Sequence, residues 1–68
     1  MTNAERVAEI GLALYGDHWT HGVARLASVN RRTVQRVRVA AIEGEECDQA
    51  HGLLMAVGDR LRAISPGW

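Results

Sequence analysis

Apolar residues return along this chain at helical spacing. Val7, Ile10 and Leu14 recur at i, i+3 and i+7, the spacing of one buried stripe, while Glu5, Arg6 and Glu9 fall on the face turned to water. Ahead of them, Thr2-Asn3-Ala4-Glu5 fits a capping box, so a first helix is predicted to start there and to close at Gly16. Asp17 is then expected to cap a second helix from about His18 to Ala27, with Trp19, Val23 and Ala24 or Ala27 on its inner face. Gly22 lies inside that helix at a cost of about 1 kcal/mol relative to Ala, so it either allows close packing or marks an imperfect helix.

Ser28-Val29-Asn30 interrupts the second helix, and Asn30 is placed to cap a third that begins at Arg31 and runs to about Ala41. Counting 100° per residue, Val34, Val37 and Ala41 point inward, and Arg32, Gln35, Arg36 and Val39 point outward. Gly44 and the surrounding acids form a connector. Beyond it Ala50, Leu53, Leu54, Val57, Leu61 and Ile64 make the strongest amphipathic repeat in the sequence, predicting a fourth helix over 46–64. Ser65-Pro66-Gly67 ends it, leaving Trp68 as a terminal aromatic. With no period-two alternation and no internal repeat, the fold class predicted is all-α: one compact four-helix domain over 1–68 with a central helix-turn-helix.

Size sharpens this picture. A chain of 68 residues buries only about 60% of its unfolded surface, and such a core rarely supplies more than about 3–5 kcal/mol. The single cysteine, Cys47, excludes an intrachain disulfide, so oligomerisation is the expected support. Six apolar positions on the fourth helix exceed what three short helices are expected to cover. Leu53, Leu54, Val57, Leu61 and Trp68 are therefore the candidate homodimer surface. The sequence has no basic region followed by an apolar stretch at Met1–Glu5 and no run long enough to span a bilayer, so a cytoplasmic protein without membrane contact is expected.

Charge changes the picture more than size does. The formal net charge is zero, yet residues 18–42 carry five arginines (Arg25, Arg31, Arg32, Arg36, Arg38) and no acid, whereas the remainder holds three arginines against eight acids. A basic segment inside a neutral protein is a local footprint for a polyanion. All eight basic residues are arginine, whose planar fork suits phosphate and guanine.

The segment Thr20-His21-Gly22-Val23-Ala24-Arg25-Leu26-Ala27-Ser28-Val29-Asn30-Arg31-Arg32-Thr33-Val34-Gln35-Arg36-Val37 resembles the helix-turn-helix of phage-repressor and Cro-like regulators, over about a quarter of the chain. Ala24 matches the small residue of the first helix, Val29 the corner plug, Asn30 the cap, and Val34 with Val37 the apolar pair that anchors the recognition helix. Two positions depart from the pattern. Ser28 stands where glycine is usual, which implies a left-handed turn held at some cost or a different turn. Leu26-Ala27 reverses the common order, which implies a partly exposed Leu26 or a rotated helix.

The resemblance implies a dimeric repressor of a phage-type operon, autoregulatory as in small repressors associated with anti-CRISPR genes. It would occupy a pseudo-palindromic double-stranded DNA operator without a small-molecule effector. Asn30, Arg31, Arg32, Gln35 and Arg36 become the base-reading candidates, since Arg can pair with guanine and Gln with adenine. Thr20, His21, Arg25 and Arg38 become the phosphate contacts. The rival class is a protein-interaction module, such as an antirepressor or antitoxin on the same scaffold. His18-x-x-His21 and Cys47-x-x-x-His51 offer four zinc-type ligands at loose spacing, but on helices of different roles, so no metal and no cofactor are assigned. Glu43, Glu45 and Glu46 have no nucleophile beside them, and no enzymatic activity is expected.

Overall fold

In the computed structural model, which describes residues 1–64, the chain begins with the capping box. Thr2 Oγ1 accepts from the Glu5 amide at 3.1 Å, and Glu5 Oε1 accepts from the Thr2 amide at 2.8 Å. This opens helix α1 (Asn3–Tyr15). The Asn3 amide, another donor left free by helix geometry, donates to Glu46 Oε1 at 3.0 Å and so ties the start of α1 to the acidic connector.

The buried face of α1 is Ala4, Val7 and Gly11, rotated from the expected stripe: Ile10 is half-buried and Leu14 is exposed. The cause is a close approach. A Cβ built on Gly11 would lie 2.6 Å from the Trp19 ring, so the bare backbone of α1 lies on the indole, and the larger residues are turned aside. Gly16 closes α1 at φ 69° and leads through a 3₁₀ turn (Gly16–His18) into α2 (Trp19–Ala27). Asp17 therefore sits inside the turn and does not cap α2, a correction to the sequence expectation. Of the two readings of Gly22, close packing holds, because an added Cβ would meet the Tyr15 ring at 2.5 Å.

At the end of α2, Ser28 adopts the left-handed conformation (φ 57°, ψ 44°). The Val29 amide donates to the Ala24 carbonyl at 3.0 Å and that of Ser28 to Arg25 at 3.3 Å, the paired bonds of a Schellman motif. Helix α3 (Arg31–Glu43) follows after three residues, capped by Asn30 Oδ1, which accepts from the Arg32 amide at 2.8 Å. Gly44 repeats the left-handed stop, and α4 (Asp48–Ile64) begins two residues later than its periodicity suggests.

The four α-helices, without strands among the described residues, make an all-α fold. Its core is Ala4, Val7, Trp19, Val23, Ala24, Ala27, Val34, Val37, Ala50, Leu53 and Val57. Helix α4 packs on α1, α2 and α3, and this corrects two members of the expected dimer surface. Leu53 (3% exposed) and Val57 (1%) are already buried within one chain, while Leu54 and Leu61 pack half-buried against the same core. Small residues at Ala4, Gly11, Ala24 and Ala27 let three short helices close over the stripe. Trp68 and the side chain of Ile64 lie outside the described residues. Among those described, no helix is long and apolar enough to cross a membrane.

Candidate nucleic-acid interface

Three local devices aim α3. Ser28 turns the chain, Val29 packs half-buried against the core at the corner, and Asn30 satisfies a free amide at the helix start. Val34 and Val37, both fully buried, then fix the rotation of α3 about its axis. The outcome is an outer face of Arg31, Arg32, Gln35, Arg36 and Val39, all exposed. Asn30 is exposed as well, but its side-chain oxygen is committed to the cap, leaving its amide NH2 for any further partner.

No side-chain hydrogen bond among the described residues engages a guanidinium of this segment. The charges also run against the helix. α3 has no acid in its first turn, where Arg31 and Arg32 stand, and no base in its last, where Glu43 stands. Each such charge opposes the helix dipole by about 0.3–1 kcal/mol. A surface that holds cations at the positive end of a helix has its electrostatics completed by an anion.

The expected phosphate contacts separate in space. His21 and Arg25 line an open concavity of about 570 Å³ together with Tyr15, His18, Gly22 and Leu26, so the exposed side of α2 offers one guanidinium and two imidazoles around a tyrosine ring. Thr20 is half-buried and does not line this shelf. Arg38 lies elsewhere, in a groove between α1 and α3 with Glu5, Glu9, Leu12 and Ile42. That groove is absent from the sequence reading. Its one sequence signal is that Leu12 and Ile42 are large apolar residues out of phase with the buried stripes of their helices.

Among the described residues, no three His, Cys, Asp or Glu side chains converge to hold a metal. Cys47 Sγ donates to Gln49 Oε1 at 3.0 Å. Of the titratable groups, Glu5 is held below its ordinary carboxyl value, first by the Thr2 backbone amide and then by the Thr2 hydroxyl. Comparison with protein-family models, curated proteins and solved structures gave no match.

Proposed function

We propose that this chain is a sequence-specific double-stranded DNA-binding regulator of transcription, acting in the cytoplasm as a homodimeric repressor of a phage-type operon. The carrying observation is the outer face of α3. Arg31, Arg32, Gln35 and Arg36 stand exposed on a helix whose rotation is fixed by Val34 and Val37, after a three-residue turn from α2. In this reading α3 enters the major groove, where Arg pairs with guanine O6 and N7 and Gln with adenine N6 and N7. His21 and Arg25 on the exposed side of α2 hold phosphate and set register without reading sequence. The chain binds and excludes polymerase; it catalyses nothing.

Selection of bound sequences from a random duplex pool tests this directly. The expected product is a pseudo-palindrome whose half-sites are bound with strong salt dependence. A folded protein with no salt-dependent affinity for any duplex would overturn the proposal and leave the protein-binding module as the surviving class.

A further inference from the structure

We infer that the groove between α1 and α3 is the surface through which two copies of this chain associate, in place of the α4 face that the sequence pattern suggests. With Leu53 and Val57 of the α4 stripe buried in the chain's own core, the most exposed large apolar side chain beyond Met1 among the described residues is Ile42 (70%). It lines a groove of about 500 Å³ with Leu12 (50% exposed), over a floor that includes Trp19. Exposed apolar surface gathered in one concavity marks a contact site.

The walls of this groove identify the occupant. The α1 side carries Glu5 and Glu9, and the α3 side carries Arg38. Glu5 is engaged by the capping box, but no side-chain hydrogen bond among the described residues engages Glu9 or Arg38. A partner of uniform charge would be repelled by one wall. A second copy related by a two-fold axis meets both walls with the opposite sign, because in such an interface residue i faces j and j faces i. Glu9 of each copy then faces Arg38 of the other, and Ile42 of each fills the other's groove. At 100° per residue, Arg38 and Ala41 lie to one side of the outer face, and Ile42, about 20° from Gln35 around the axis, stands seven residues or about 10 Å further along α3, so pairing covers the C-terminal part of α3 and leaves Arg31, Arg32 and Arg36 near its start uncovered. The inference does not require DNA binding.

Sedimentation of the purified chain without DNA tests it. The wild type is expected to dimerise at high micromolar concentration. Glu9→Arg or Arg38→Glu alone places like charges across the interface and weakens association by about tenfold or more. An equimolar mixture of these two variants restores association as a heterodimer, since both pairings are then of opposite sign. Restoration in trans cannot come from repairing a contact inside one chain. Both positions are exposed, so far-UV circular dichroism should show unchanged helix content; Ile42→Ser, at another exposed position, is expected to lose the dimer likewise. A wild-type monomer, single variants that remain dimeric, or a folded mixture that stays monomeric would each overturn the inference. Duplex affinity is measured separately, so a failure here and a failure of the DNA-binding proposal are told apart.

Discussion

Two glycines show how a similar local clash leads to different costs. Adding a methyl at Gly11 or Gly22 gains about 1 kcal/mol of helix propensity, and in each case the new Cβ meets an aromatic ring, at 2.6 Å and 2.5 Å respectively. Trp19, the ring facing Gly11, is 5% exposed and held by the core, whereas Tyr15, facing Gly22, is 41% exposed, with solvent on one side of its ring. Gly11→Ala is therefore expected to lose about 1–3 kcal/mol through overpacking, while Gly22→Ala should lose less, because turning the half-exposed Tyr15 side chain disturbs no core contact as large as that of Trp19. Urea denaturation of both variants checks this, and equal losses would contradict the account. Ser28 gives a third case. A non-glycine residue in the left-handed region carries roughly 1–2 kcal/mol of strain, which Ser28→Gly relieves at a smaller cost in unfolded-state entropy. Its expected gain is about 0.5 kcal/mol, with the α2–α3 turn unchanged.

At the scale of helices, capping and dipole make separate predictions. The Glu5 carboxyl is held below its ordinary value by the Thr2 amide and hydroxyl, so its contribution is complete above the unfolded-state value near 4.5 and is lost as pH falls through the lower folded-state value. Glu5→Gln should remove that acid-side dependence, and Thr2→Ala should cost about 1 kcal/mol at neutral pH, both read from melts across pH. Helix α3 behaves in the opposite sense. Replacing Arg32, in its first turn, by Glu aligns charge with the dipole and should stabilise the chain by about 0.3–1 kcal/mol while abolishing duplex binding. A variant that lost both stability and binding would mean that Arg32 supports the fold. Whereas Asp17 lies inside a turn and α4 starts at Asp48, not Glu46, the start and stop of α1 and the start of α3 were legible in Thr2, Gly16 and Asn30 because capping is local chemistry. The phase of α1 was not, since an apolar pattern weights Ile10 and Leu14 above Gly11, whose value lies in having no side chain beneath Trp19. The outer face of α3 could be read from its cap and its valines, but the groove that Arg38 and Glu9 both line depends on two helices lying side by side, which spacing along one helix does not encode.

For the whole molecule, zero net charge conceals a segregation along the chain: residues 18–42 hold five arginines and no acid, and the remainder holds three arginines and eight acids. Of the five arginines of residues 18–42, Arg38 shares a groove with Glu5 and Glu9, whereas Arg31, Arg32 and Arg36 stand exposed along α3 without an acid in its first turn, and charges further apart than the Debye length of about 8 Å at physiological salt are largely screened from one another. Neutralising Arg25 should lower affinity for cognate and scrambled duplexes alike and reduce the log K against log salt slope by about 2 per dimer, at roughly 0.9 per phosphate. Arg32→Ala, Gln35→Ala and Arg36→Ala should each cost about 1–3 kcal/mol on the specific site and relax one base preference per half-site. Unchanged preference in all three would mean that another helix occupies the groove. The indole of Trp19 has an optical consequence. It is enclosed by the helices, rests on Gly11 and contributes to the floor of the α1–α3 groove, while Arg31, Arg32 and Arg36 stand near the start of α3, away from that floor. In a Trp68→Phe background its fluorescence comes from one known position, blue-shifted in the folded chain, and a partner seated in the groove changes that emission where DNA on α3 leaves it alone. One tryptophan thus separates the two binding events in a single cuvette.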